Sequence, residues 1–392
     1  MIQFIDLQTQ YRLVQEEVEA AVLRVMRGGQ YIMGPEVAEL EAELSGFAGV
    51  KHTVSCASGT DALVMALMAK NIGPGDAVFT PPFTFVATAE AIATVGATPI
   101  FVDIDPGTFN IDPEALKLAI LAVRRCDPSI YPVPRAGEIH VERLTCKAII
   151  AVDLFGLTAD YDRINAIAAE DGLLVIEDAA QSFGARAGSK RAGSLAEIGC
   201  TSFFPAKPLG CYGDGGALFT DDDELAALFR SIRVHGQGSD KYENVRIGIT
   251  GRLDTIQAAA LLAKLKIFEQ ELNDRERVAL AYNAAIEREG LALQTPTLPQ
   301  GQKSAWAQYS VLAADSAARE RLMESLKQAG IPTSIYYPKP LHLQKAFAYL
   351  GYAAGDFAVS EAISGRVFSL PMHPYLDDAT IISIVDAMKA AS

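Results

Sequence analysis

Lys207 lies in Thr201-Ser202-Phe203-Phe204-Pro205-Ala206-Lys207-Pro208-Leu209-Gly210, after an apolar strand, between two prolines and just before a glycine turn. A solvent lysine needs no such seat. A Schiff-base lysine does, because rigid surroundings aim the amine and desolvation lowers its pKa toward a useful range. Asp178, in Val175-Ile176-Glu177-Asp178-Ala179-Ala180-Gln181-Ser182, ends a buried strand at the edge where α/β sheets hold ligands. A buried carboxylate calls for a cationic partner. The protonated ring nitrogen of pyridoxal phosphate (PLP) would serve, as would a lysine or arginine elsewhere in the chain. Ser58-Gly59-Thr60-Asp61 falls between a strand and a helix, where unpaired backbone N–H groups and the hydroxyls of Ser58 and Thr60 suit a phosphate. An ordinary helix N-cap by Thr60 or Asp61 fits the same residues. Ser202, five residues before Lys207, can add a phosphate contact. The glycine-rich run 210–216 lacks the G-x-G-x-x-G order of a dinucleotide site and reads as a tight turn that positions Lys207.

The elements that must position these groups alternate. Short apolar strands are expected at 53–57, 77–80, 100–103, 148–152 and 173–176, separated by helical stretches such as 61–70. Val37, Leu40, Leu44 and Phe47 mark one face of an earlier helix. Continuous apolar strands joined by helices predict a mostly parallel sheet covered on both faces. The proline-containing stretch 124–146 reads as a surface excursion. A long helix over 253–273 leads into a second, α+β unit with a strand near 306–312, a helix near 317–328, an extended run at 332–337 and a last helix over 378–390.

Composition narrows the function. A chain of 392 residues suits two domains, and 50% hydrophobic with 21% charged residues is a globular balance. A net charge of −14 argues against nucleic acid as a partner. Five cysteines without a C-x-x-C pair suggest neither a disulfide framework nor a zinc site, and the five histidines lack metal-ligand spacing, so no metal is expected. The N-terminal residues do not read as a signal peptide, and no apolar run has membrane length. The expectation is a cytoplasmic enzyme with no membrane partner.

The joint pattern resembles the fold-type I PLP enzymes and, within them, the DegT/StrS-type sugar aminotransferases. The resemblance spans nearly the whole chain. It rests on Gly34-Pro35, Ser58-Gly59-Thr60-Asp61-Ala62-Leu63, Pro82-Phe83-Thr84-Phe85, Glu177-Asp178-Ala179-Ala180-Gln181, Lys207, Arg252 with Gln257-Ala258-Ala259, and Tyr337-Pro338-Lys339-Pro340-Leu341-His342. It implies an α/β large PLP-binding domain over 1–255 and a smaller α+β domain over 256–392. It implies that Lys207 forms the Schiff base and moves the catalytic proton, that Asp178 binds the ring nitrogen and that Gln181 binds the phenolic oxygen. Gly59, Thr60 and Ser202 would take the phosphate beside Ser58, and Phe85 would stack on the ring. Members with histidine at the lysine position are dehydratases, so Lys207 favours transamination. The family pattern also implies a homodimer with active sites at the interface. Thr250 stands where the family usually has the asparagine that reaches the neighbouring subunit's cofactor phosphate, and Tyr336 replaces a common histidine.

The motifs around Lys207 and Ser369-Leu370-Pro371-Met372-His373-Pro374 resemble the subgroup that aminates UDP-2-acetamido-2-deoxy-ribo-hexuluronate, with L-glutamate as donor and 2-oxoglutarate as by-product, for bacterial O-antigen and related glycans. Arg246 and Tyr337, then His342 and Lys339, are the expected substrate contacts, because an anionic nucleotide sugar needs local cations on an acidic protein. Arg246 and Lys339 read equally well as solvated surface charges. Rival readings are an aminotransferase for a 4-keto dTDP- or UDP-hexose, and a PLP-binding regulator without catalysis.

Overall fold

The computed structural model describes residues 2–391 apart from 136, 138 and 241. In chain order its strands are β1 (His52–Cys56), β2 (Asp76–Thr80), β3 (Thr98–Phe101), β4 (Thr145–Val152), β5 (Leu174–Asp178), β6 (Arg186–Ala187), β7 (Lys190–Arg191), β8 (Ile198–Ser202), β9 (Gly216–Thr220), β10 (Leu293–Gln294), β11 (Gln302–Lys303), β12 (Tyr309–Ala313) and β13 (Val367–Leu370). Seven of them form one sheet in the order β1-β9-β8-β5-β4-β2-β3. β9 runs antiparallel to both neighbours, and the other pairings are parallel. The expected mostly parallel α/β sheet is therefore present.

Both faces of this sheet are apolar, which is why its strands read as unbroken hydrophobic runs. Along β4, Ala148 and Ile150 pack with Ile176, Leu218 and the helix Gly59–Ala69, while Ile149 and Ala151 pack with Val175 and the helices Pro113–Arg125 and Tyr161–Asp171. Register then sets the functional edge. Val152 pairs with Asp178, Asp178 with Cys200, and Gly216 with both Cys56 and Ser202. The carboxyl ends of β1, β4, β5 and β8 thus finish together.

The sequence reading missed the 22-residue helix Leu7–Gly28. Its signals are there: Asp6 accepts from the Thr9 amide at 2.9 Å as an N-cap, and Val14, Val18, Ala21 and Val25 recur at three- and four-residue spacing. That stripe packs on Ala259 and Ala263 of the long helix Thr255–Arg288. The long helix continues well past the expected 273. Its first half joins a core with Phe183, Phe203 and Phe219, and its second half, from Val278 to Ile286, joins the core of the β10-β12-β13 sheet. The change of core falls inside this helix rather than before it. Ile2 also packs in the C-terminal core, and the Met372 amide donates to the Phe4 carbonyl at 3.0 Å.

One expectation needs revision. The 124–146 stretch is no free excursion: the Tyr131 hydroxyl accepts from the Asp103 amide at 2.7 Å, the Arg135 amide donates to the Leu350 carbonyl at 2.8 Å, and Arg135 pairs with Asp356 at 2.9 Å. Val133 and Val141 are buried, and apolar contacts turn the segment into a strap over 345–357. The run at 332–337 is non-helical as expected and bridges β13 at Ser334–Ser369.

His373, 4% exposed, lies between Asp6 and Arg275. Burial pushes its pKa down to about 4, against the pull of the Asp6 carboxylate. A folded pKa below the unfolded value gives stability that is complete above about pH 6.5 and lost as pH falls through that lowered value. Thermal unfolding between pH 7 and 4.5 should therefore weaken more steeply in the wild type than in His373→Phe, by about one proton, or roughly 1.4 kcal/mol per pH unit. Parallel pH profiles would exclude this coupling.

Candidate active site

The site is built at the shared edge of the sheet. Asp178, the last residue of β5, is 6% exposed. Its Oδ2 accepts from Thr88 Oγ1 at 2.8 Å and its Oδ1 from the Ala180 amide at 3.2 Å. Burial raises its pKa, while these donors and Lys207 act in the opposite direction. No cation lies within ion-pair distance of it among the described residues. It is a carboxylate held ready for a positive partner that the chain itself does not supply at contact.

Lys207 sits on the turn after β8, where its amide donates to the Phe204 carbonyl at 2.8 Å. Burial lowers the pKa of its amine and the Asp178 charge raises it. Its Nζ makes no hydrogen bond to another described residue, so the amine is free to react. Phe203 and Cys211 close the base of the turn: the Cys211 amide donates to the Phe203 carbonyl at 2.8 Å, and the Phe203 amide to Gly215 at 2.7 Å.

The third component lies at the start of the helix Gly59–Ala69. Ser58 is the N-cap, and its Oγ accepts from the Asp61 amide at 3.0 Å. This leaves the amides of Gly59 and Thr60 without an acceptor. A Cβ at Gly59 would stand 2.6 Å from Ser202 Cβ, and one at Gly216 would stand 2.4 Å from the Ser58 carbonyl. Only glycine lets this turn approach β8 and β9 so closely. A Cβ at Gly59 would also stand 3.2 Å from Ser202 Oγ, so this hydroxyl borders the Gly59 turn. That donor set is suited to a phosphate group.

Gln181 and Tyr337 complete the wall. Gln181 Oε1 accepts from the Phe155 amide at 2.8 Å, which turns Nε2 toward the Tyr337 hydroxyl at 3.2 Å and leaves its second hydrogen available. The Tyr337 ring lies 6.1 Å from Phe83 and 6.5 Å from Phe85 between centroids. Burial pushes the Tyr337 phenol pKa up. Phe83 is fully buried, whereas Phe85 is 54% exposed and so is the ring of the pair that can stack on a ligand.

The other expected substrate contacts separate. The His342 side chain is fully buried, with Nε2 paired with Glu361 at 3.0 Å and the ring packed edge-on against Phe357 at 4.7 Å. Lys339 is exposed. Arg246 and Thr250 belong to an exposed loop in which Arg246 bonds Ser231 and Thr250 Oγ1 meets His235 Nε2 at 2.9 Å. No bond connects either to Lys207, Asp178 or Ser202 within the chain.

The sequence reading missed Thr88 and Asp153. Thr88 lies three residues after Phe85, one helical turn on, and that spacing was a usable signal. Asp153 extends β4 by one residue; it is buried, accepts from Ser182 Oγ at 2.7 Å and from the Ala159 amide at 2.9 Å, and fixes the loop after Asp178. Burial raises the pKa of both Asp153 and its neighbour Glu177.

An α/β sheet presenting a reactive lysine, a buried carboxylate and a phosphate cradle along one edge defines the architecture of a PLP-type transferase. The chain belongs to the DegT/DnrJ/EryC1/StrS aminotransferase family, whose profile matches residues 13–389. It is 48% identical over 388 residues, 99% of each chain, to the UDP-2-acetamido-2-deoxy-3-oxo-D-glucuronate aminotransferase of Pseudomonas aeruginosa. A crystal structure of a family aminotransferase from Brucella abortus superposes with TM-score 0.92 at 49% identity, covering 100% of this chain and 99% of that one. NtdA from Bacillus subtilis, solved with bound cofactor PMP, superposes with TM-score 0.86 at 27% identity, covering 99% and 85%.

The residues present fit such a cofactor on their own chemistry. Among the described residues Asp178 lacks a contacting cation and Lys207 Nζ lacks a hydrogen-bond partner, and the Gly59 turn would be filled by a single methyl group. Gly59→Ala should therefore weaken PLP binding to the cofactor-free chain by about tenfold or more, roughly 1.4 kcal/mol, in a fluorescence titration with the fold intact. Unchanged affinity would remove the phosphate from this turn.

Proposed function

We propose that the chain transfers an amino group from L-glutamate to the 3-keto carbon of a UDP-linked 2-acetamido-hexuluronic acid, with PLP held at Lys207. The observation that carries this reading is the free Lys207 amine and the Asp178 carboxylate without a contacting cation, set along one sheet edge beside the tight Gly59 turn. The 48% identity to the Pseudomonas aeruginosa enzyme supports the choice of keto-sugar. When bound, PLP supplies an electron sink for charge developing at the amino-bearing carbon. Asp178 holds the proton at the ring nitrogen. Gly59, Thr60, Ser58 and Ser202 bind the phosphate, Gln181 Nε2 donates to the phenolic oxygen, and Phe85 covers the ring. Lys207 Nζ takes the proton from the donor's α-carbon and would hand it to the cofactor's exocyclic carbon within the same half-reaction; in the second half-reaction the same amine would carry a proton the opposite way, to the sugar carbon that gains nitrogen. Tyr337 borders the sugar, while Lys339 and Arg246 are the cations available to its anionic groups.

The active unit is a homodimer. Phe204 and Tyr212 on either side of Lys207 are 51% and 40% exposed, and Tyr242 and Ile247 on the 235–250 loop are both 84% exposed. Tyr31 and Ile32 come alongside through the Thr255–Tyr31 and Ile32–Asp254 backbone pairings. These apolar groups suit burial against a second copy, which brings Thr250 and Arg246 to the neighbouring site. No helix among the described residues is long and apolar enough to cross a membrane. The reading places the enzyme in the cytoplasm, supplying diamino-uronic sugars for surface glycan such as O-antigen.

Purified protein with PLP and glutamate should aminate the UDP-linked 3-keto uronic acid, with parallel double-reciprocal lines. Lys207→Ala should lose about 10²–10⁴-fold in kcat, the range for a removed general acid/base. Product detected by mass only from a 4-keto hexose would sink the substrate choice, and amination at the wild-type rate without Lys207 would sink the mechanism.

Ile247→Glu should yield monomers in sedimentation velocity and lower kcat by at least about tenfold, because each site lacks its neighbour's loop. A fully active monomer would refute the shared site.

A further inference from the structure

Lys264 is a buried lysine without an acid beside it. It projects from the helix Thr255–Arg288 and is 1% exposed. Its Nζ donates to the Gly210 carbonyl at 2.7 Å and stands 3.9 Å from the centroid of the Tyr212 ring. No carboxylate lies within ion-pair distance among the described residues, and Glu271, whose charge reaches it, is engaged by Gln10 and Tyr375. Burying an ammonium group is costly unless it is well paired, so methionine would fill this space more favourably. What the amine adds is its grip on the backbone.

The carbonyl it grips ends the turn that carries Lys207. A Cβ at Gly210 would lie 2.5 Å from the Pro205 carbonyl, so the two arms of the turn touch at this point. Two helical turns before Lys264, Gln257 Oε1 accepts from the Tyr212 amide at 2.8 Å. The helix therefore holds this turn at two points, Gly210 and Tyr212. Burial lowers the Lys264 pKa to about 8, so the amine remains mostly protonated at neutral pH and offers three donors.

We infer that Lys264 is a positioning residue: by fixing the Gly210 carbonyl it sets the direction in which Lys207 presents its amine. This rests on Lys207 being the cofactor lysine, and the two ideas can fail separately. Lys264→Met keeps the length and removes the donors. In the cofactor-free variant, amide exchange at Cys211, Tyr212 and Gly213 should rise by about tenfold while β8 and β9 keep wild-type protection. In the PLP-loaded variant, the pH midpoint of the visible band should shift by about half a unit or more. Its kcat should fall by about fivefold or more at a nearly constant KM for glutamate. Lys266→Met, on the exposed side of the same helix, should change none of these. Lys264→Gln is carried through the same measurements should the methionine variant not fold. Wild-type exchange and an unmoved midpoint in a folded variant would overturn the proposal. Borohydride labelling that misses Lys207 would instead overturn the cofactor assignment and leave the exchange result standing.

Discussion

The structure depends on keeping two opposite charges at one sheet edge without letting them neutralise each other. Asp178 is fixed by Thr88 and by its own loop, and Lys207 is fixed by a proline-bounded turn. Direct contact between them would satisfy both groups and leave neither for a ligand. Holding them in mutual electrostatic range but outside ion-pair distance stores binding capacity. The parallel register of β4, β5 and β8 makes this possible, because it ends three strands at one level and lets short loops set the remaining separation.

Much of this was legible in the sequence because local chemistry dictated it. The prolines around Lys207, the acid ending an apolar strand and the small residues opening a helix are each constraints expressed within a few residues. Unbroken apolar strands announced a sheet buried on both faces. What stayed hidden is non-local. Nothing near His342 reveals that Glu361 will claim it, and nothing near Lys264 reveals that it will bond Gly210. The 124–146 stretch looked like surface because its prolines and charges are local features, while its anchors at Leu350 and Asp356 lie more than two hundred residues away. The helix Leu7–Gly28 was missed for a different reason: its apolar stripe was readable but narrow among many charges.

The site draws on both cores. Tyr337 reaches Gln181, Phe83 and Phe85 from a segment tied to β13 through Ser334. The strap at 131–135 braces the stretch immediately after it. A shift of the C-terminal sheet against the large one would therefore be felt first at the Gln181–Tyr337 bond, on the wall of the pocket.

The placement of Ile2 and Phe4 has a consequence for how the molecule is completed. Their seat is built from β13 and the helix Asp378–Lys389, which lie at the far side of the sequence. The stretch between these two segments is a loop closed by packing rather than by a covalent bond. A charge at Ile2 would therefore loosen the same apolar seam as one at Ile384 or Val385.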